Sequence, residues 1–358
     1  MVNEQDWNGR RVLITGHTGF KGSWLTLWLT QLGAEVTGLA LAPESPSLFE
    51  QARLTDRIRH IEGDIRDLAT VERTIALARP EVVFHLAAQP LVRLSYVEPV
   101  ETFATNVQGT VHLLDACRRS PGLKAIICVT SDKCYENREW VWPYRETDPM
   151  GGHDPYSASK GAAELIAAAY RRSFFQANGT PLLATARAGN VIGGGDWAMD
   201  RLIPDIVRAL LAGTGVDIRS PGSVRPWQHV LDALGGYVLL AGKLLSGERR
   251  LADGWNFGPA DSDARPVGWI VEKMLASWGR GSWQPYNGSK PHEAHLLRLD
   301  CSKARAELGW QPAWSLEHAL NKIVAWHQAV DRGEDALAVS LEQLVEFRTA
   351  YAAALKGN

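Results

Sequence analysis

Tyr156 and Lys160 stand four residues apart in Asp154-Pro155-Tyr156-Ser157-Ala158-Ser159-Lys160. With Pro155 in the first turn, that spacing puts both side chains on one face of a helix. An ammonium beside a phenol lowers the phenol pKa, giving a base able to take a sugar hydroxyl proton near neutral pH. Upstream, an apolar run ends in Val129-Thr130-Ser131-Asp132-Lys133. Strand C-termini in open α/β sheets line the ligand crevice. A hydroxyl there, Ser131 with Thr130 beside it, completes a Ser/Thr–Tyr–Lys set for moving a hydride between an alcohol carbon and a nicotinamide. Asp132 and Lys133 add an acid and a potential base at the same edge. Adjacent charges in a loop are otherwise an ordinary ion pair of small worth.

A Tyr-x-x-x-Lys alone is common by chance, so its meaning depends on an earlier loop. The apolar run 11–15 leads into Gly16-His17-Thr18-Gly19-Phe20-Lys21-Gly22 and then a helical stretch. Glycine at such a strand-to-helix turn lets backbone N–H groups approach a pyrophosphate at the helix N-terminus. Gly16, Thr18, Gly19, Phe20, Lys21 and Gly22 are therefore cofactor-binding candidates. A P-loop is excluded, because it needs Gly-Lys-Ser/Thr and the order here is Lys21-Gly22-Ser23. Dinucleotide binders often hold the adenine ribose with an acid after the second strand. Here that stretch reads Leu39-Ala40-Leu41-Ala42, with Glu44 the nearest acid and no basic cluster in its place. On this criterion NAD and NADP both stay open. Asp64 and Ile65, after the third apolar run, can hold the adenine; an Asp there can equally cap the next helix.

Around these residues short apolar runs alternate with amphipathic ones. Strands are predicted over 11–15, 35–41, 60–62, 82–86, 125–130 and 182–186, with helices near 23–32, 68–78, 101–119 and 156–177. This is the pattern of an α/β, doubly wound parallel sheet of Rossmann type. After Gly193-Gly194-Gly195 the texture changes to short strands (217–219, 255–257, 296–299) among helices near 201–211, 231–245, 267–278 and 316–329. The expected division is a dinucleotide-binding domain over 1–190, with 231–258 returning to it, and a smaller substrate lobe over 191–358 on the C-terminal side.

The 358 residues suit two lobes, and 45% hydrophobic with 22% charged residues is ordinary for a folded enzyme. A net charge of -2 gives no footprint for nucleic acid. No apolar run reaches the ~18 residues of a membrane span. Cys117, Cys128, Cys134 and Cys301 show no metal-ligand spacing and read as free thiols in a reducing compartment. With no apolar leader, and no export signal after Arg10-Arg11, a cytoplasmic protein is expected. His292-Glu293-Ala294-His295 lacks the spacing that sets two histidines on one helical face, so no metal is expected. The 14 tryptophans are expected mainly in the core, Trp227 among them, although its ring could also stack on a base or sugar.

Taken together the sequence resembles the extended short-chain dehydrogenases/reductases that act on nucleotide sugars. Gly16–Trp24, Ser131-Asp132-Lys133-Cys134-Tyr135, 187–197, Arg225-Pro226-Trp227-Gln228-His229-Val230 and 292–295 resemble the CDP-glucose branch of its 4,6-dehydratases. The likeness runs from Trp7 to past Trp326. It implies a tightly held NAD and CDP-glucose as substrate, oxidised at C4, dehydrated across C5–C6 and reduced at C6. Tyr156 would be the base at the C4 hydroxyl, assisted by Lys160 and Ser131. Related dehydratases carry Asp-Glu where this chain has Asp132-Lys133, which leaves the C5 base open, and they commonly carry the acid missing after strand two. By position, Leu86, Ala87, Ala88, Gln89, Thr105, Thr130 and Val191 would line the cofactor, with Tyr156 and Lys160 also against it. Asn190, Arg201, Arg219, Arg225, Asn256 and His295 would face the CDP-sugar; arginine forks suit a diphosphate. The resemblance also implies a homodimer or homotetramer paired through helices near 101–119 and 156–177, and a product destined for surface-polysaccharide dideoxysugars, such as those of lipopolysaccharide. Two other readings share the loop: a 4-epimerase or reductase, which needs no elimination pair, and a redox-sensing regulator, which has no use for an activated phenol.

Overall fold

The computed structural model describes residues 4–286, 288 and 297–356. In chain order its strands are β1 (Arg11–Thr15), β2 (Glu35–Ala40), β3 (Arg59–Glu62), β4 (Val82–His85), β5 (Ala125–Val129), β6 (Leu182–Ala188), β7 (Asn190–Ile192), β8 (Val216–Ile218), β9 (Val224–His229), β10 (Gly254–Phe257), β11 (Ala264–Pro266) and β12 (Trp283–Pro285). A seven-stranded sheet runs β3-β2-β1-β4-β5-β6-β10, every pair parallel. The order reverses between β1 and β4, and the crevice at that switch point is where such sheets bind ligands. β4, β5 and β6 are buried along their whole length, as strands covered by helices on both faces must be.

One apolar core packs helices Phe20–Gln31, Val230–Leu245 and Ala336–Ala354 against one face. A second packs Leu68–Ala78, Gly109–Arg118 and Pro155–Phe174 against the other. A third joins helices Leu202–Ala212, Val267–Trp278 and Leu316–Asp331 over the sheets β11-β9-β7 and β12-β8. Trp227 lies in this third core, so its ring packs rather than stacks on a ligand. Residues 230–257 cross back, with β10 pairing along β6.

The structure departs from the expectations at three places. The helix expected over 101–119 is three pieces, Pro99–Phe103, a π-helical turn Ala104–Gln108, and Gly109–Arg118. The helix Ala336–Ala354 was not foreseen; its apolar residues are spread around the axis instead of forming one stripe. The short strand expected at 296–299 reduces, within the described residues, to a bridge between Leu299 and Tyr144.

The phosphate loop is drawn hard against its neighbours. Gly16 has φ +75°, and a Cβ there would lie 2.7 Å from the Ala87 nitrogen. A Cβ on Gly22 would lie 2.1 Å from the Gly16 carbonyl oxygen. Beneath the loop, the fully buried His17 ring fills the space over Gly38, where a Cβ would come within 2.3 Å of its Cγ. Gly38→Ala must push that ring aside and should cost about 1–3 kcal/mol of stability. Urea unfolding checks this; an unchanged midpoint would show that the ring has room to move.

Candidate active site

Strand β5 delivers its last residues to the crevice and ends in a 3-10 turn, Asp132–Cys134, capped by Ser131, whose Oγ accepts from the Lys133 N–H at 3.2 Å. Ser131 in turn donates to Asp132 Oδ1 at 3.0 Å. Opposite it, the helix Pro155–Phe174 starts at Asp154, whose carboxylate accepts from the Ser157 N–H at 2.9 Å and caps the turn carrying Tyr156. Ser131, Asp132, Tyr156 and Lys160 are all buried, and Lys133 is half-buried.

Burial sets the charges here. It pushes the Tyr156 phenol up to about 12, against a lowering hydrogen bond from Ser131. It pushes Lys160 down to about 8, while Cys128, Glu164 and Cys134 favour its charged form. The simple expectation of a phenol lowered by lysine is therefore not met. Desolvation dominates, and the Lys160 amine leans toward the Val129 carbonyl oxygen at 3.5 Å. Burial also raises the Asp132 carboxyl, opposed by Lys133, the Ser131 hydroxyl, Arg225 and Lys21. A shift in that direction favours the protonated form that can act as a proton donor. Lys21, from the phosphate loop, is lowered to about 7 by burial and by the charges of Lys160 and Arg201.

The cofactor candidates divide. Gly16, Thr18, Gly19, Phe20, Lys21 and Gly22 form the loop and first helical turn. Leu86, Ala87, Ala88 and Gln89 follow β4, half-buried at the switch point, and Thr105 and Val191 are likewise half-buried. The Thr130 hydroxyl is taken up by the protein, donating to the buried Glu164 Oε1. Ile65 is a core residue, and its side chain lies where a Cβ on Gly109 would sit. Asp64 accepts from the Arg66 N–H, Nε and Nη2 at 2.8, 2.8 and 2.6 Å, while Asp67 takes the helix-capping place.

On the substrate side, Asn190 opens β7 and is half-buried. Arg201 donates from Nη1 alone to both Asp196 oxygens, at 3.2 and 3.0 Å. Arg219 lies 3.7 Å from Asp200, and Arg225, on β9, acts on Asp132. Asn256 is corrected: it is fully buried, accepting from the Tyr135 hydroxyl at 2.8 Å and donating to the Tyr144 and Asp300 carbonyls at 2.9 and 3.1 Å. Its amide is spent within the protein. His295, with 292–294, lies outside the described residues. Among the described residues no group of His, Cys, Asp and Glu is arranged to hold a metal.

Some positioning groups escaped the sequence reading. His85 bridges Thr15 and Thr110 at 2.7 and 3.0 Å, pinning the switch point from below. Asn106, in the π-helical turn, accepts from the Gln89 N–H at 2.8 Å and donates to the Gln89 carbonyl at 3.0 Å and to Ser159 at 2.9 Å. Only its polar amide within an otherwise helical stretch could have pointed to it.

Topology and site define a Rossmann-type fold with a glycine loop at its first strand-to-helix turn. The chain belongs to the NAD dependent epimerase/dehydratase family, which it matches over residues 12–251. It is 55% identical to the CDP-glucose 4,6-dehydratase of Salmonella typhimurium strain LT2, over 98% of this chain and 99% of that protein. It is 28% identical to the dTDP-glucose 4,6-dehydratase of Xanthomonas campestris pv. campestris, over 88% of this chain and 92% of that one. Among solved structures it resembles a dTDP-glucose 4,6-dehydratase from Streptomyces venezuelae crystallised with NAD, with TM-score 0.77 and 26% identity over 91% of this chain and 99% of that one.

Because Lys133 is the largest of the influences lowering Asp132, Lys133→Met should raise the Asp132 carboxyl pKa further. A difference infrared titration of Lys133→Met against Lys133→Met/Asp132→Asn reads it; a value unchanged from wild type would remove Lys133 from the acid's environment.

Proposed function

We propose that this chain is a hydro-lyase that converts CDP-glucose to CDP-4-dehydro-6-deoxyglucose. What carries the reading is Asp132, a buried carboxyl inclined to keep its proton beside Lys133, within a chain so close to a CDP-glucose 4,6-dehydratase along its whole length. An epimerase or a reductase has no water to expel and no need of that acid.

The residues fit a bound NAD. The helix Phe20–Gln31 begins at Gly19 with no side-chain cap, so its first N–H donors are left for a pyrophosphate. NAD bound there supplies the sugar with a hydride acceptor and, later in the turnover, a donor. Ser131 holds the C4 hydroxyl and Tyr156 takes its proton, a step that requires the charged form of Lys160 to offset the rise that burial imposes on the phenol. Asp132 protonates the departing C6 oxygen. A neutral Lys133 would receive the C5 proton; a charged one would steady the enolate while another group receives it. Arg201, Arg219 and Arg225 face the diphosphate, and Asn190 the sugar.

Two further readings belong with this. Val97, Val100, Phe103, Leu165 and Phe174 are exposed apolar residues on and beside helices Pro99–Phe103 and Pro155–Phe174, and they suit pairing with a second copy. The four buried free thiols support a cytoplasmic protein. No helix among the described residues is long and apolar enough to cross a membrane.

Incubated with CDP-glucose and no added reductant, the enzyme should form the 4-dehydro-6-deoxy sugar; CDP-galactose instead would make it an epimerase, and no product would leave a binding protein. Tyr156→Phe should lower turnover by about 100-fold or more, with CDP affinity nearly unchanged. Near-wild-type turnover would remove Tyr156 as the base. Val100→Asp should yield a smaller species in sedimentation than wild type; equal sedimentation would place the contact elsewhere.

A further inference from the structure

Below the reactive groups lies a buried polar chain that the proposed chemistry does not use. Glu164 sits one turn after Lys160 on the same helix and is fully enclosed. Its Oε1 accepts from the Thr130 hydroxyl at 2.5 Å. Its Oε2 accepts from the Thr185 hydroxyl and from Arg187 Nη2, each at 2.7 Å. Arg187, also buried, donates from Nη1 to the Tyr135 hydroxyl at 2.7 Å and to the Glu146 carbonyl at 3.2 Å. Tyr135 passes its proton bond to Asn256, which binds the carbonyls of Tyr144 and Asp300. One carboxylate thus ties the residue before Ser131, the helix bearing Tyr156 and Lys160, and strand β6. Through Arg187 it reaches β10 and the segment beyond it.

We propose that Glu164 is the positioning residue of the active site: it fixes the Lys160 turn against the Ser131 end of β5 and sustains the positive charge on Lys160. The inference rests on the function proposed above. The carboxylate is suited to the task because it is ionised where it sits. Burial raises it, but the charge and hydrogen bonds of Arg187, with those of the two threonines, hold it below the usual carboxylate range. Lys160 is faced by Cys128 on β5, Cys134 in the following turn, His85 on β4, Lys21 in the phosphate loop and Glu164 on its own helix. Of these only Glu164 brings a full negative charge. Asn256 takes its place in the same chain of bonds, which explains an asparagine at a strand centre with nothing left to offer a ligand.

The sign of the effect follows. Lys160 loses its charge as pH rises through its pKa, and Glu164 raises that pKa. Glu164→Gln should therefore bring the high-pH fall of kcat to lower pH by about one unit, with KM for CDP-glucose within twofold of wild type. Thr130→Val keeps the charge and removes only the bond to β5, so kcat should fall about tenfold with the profile in place. If Glu164→Gln does not fold, judged by its thermal melt, Thr130→Val and Glu164→Asp carry the test. Glu164→Asp retains the charge on a shorter arm and should lower kcat while leaving the high-pH limb where it was. Folded Glu164→Gln with an unmoved profile, or Thr130→Val and Glu164→Asp with unchanged kcat, would overturn the proposal. Wild-type enzyme inert toward CDP-glucose would instead overturn the functional reading.

Discussion

Parallel pairing is the constraint from which the site follows. β1, β4 and β5 are held in register side by side, so Thr15, His85 and Val129 end at one sheet edge and the segments after them share one crevice. The phosphate loop follows the first, the half-buried Leu86–Gln89 turn the second, and Ser131-Asp132-Lys133 the third. His85 binds threonines on either side of it, and Gly16 sits against Ala87 with no room for a side chain. None of these groups could meet if a strand slipped, because a one-residue slip moves a strand end by about 3.3 Å and exchanges the side chains on its two faces.

Burial then decides the chemistry. Desolvation is the largest influence on Tyr156, Lys160, Asp132 and Lys21 alike, and in each it favours the neutral form. Such a site shifts acids toward their protonated form and lysines toward their neutral form. The Glu164–Arg187 pair is the exception, a buried ion pair kept charged by mutual contact and by hydrogen bonds on both oxygens. Losing one member of such a pair costs about 3–5 kcal/mol in general, because it leaves the other charge buried without compensation.

The second lobe contributes differently. Its strands are short, and its own core around Ile206, Trp227 and Ile270 is built from helices and small sheets. Arg201 and Arg219 are held by aspartates on the same lobe, while Arg225 on β9 reaches the field of Asp132. The chain's return through β10 joins the two parts more closely than a single boundary would. The helix Val230–Leu245 is buried along most of its length against the large sheet.

Local sequence was enough for whatever depends on near neighbours along the chain. The glycine spacing at Gly16–Gly22, the four-residue step from Tyr156 to Lys160, and the alternation of apolar runs with amphipathic ones each encode a turn, a helix face or a parallel sheet without outside help. Tertiary structure decided what depends on partners far along the chain. Asn256 looked available until Tyr135, Tyr144 and Asp300 were seen to use its whole amide, and Thr130 until Glu164 claimed its hydroxyl. Asn106, His85 and Glu164 carry no motif, because their roles lie in hydrogen bonds to residues brought close only by folding. The phenol's pKa went the same way. A lysine four residues on suggests a lowered value, but the cost of burying charge depends on all the atoms packed around Tyr156, and those come together only in the folded chain.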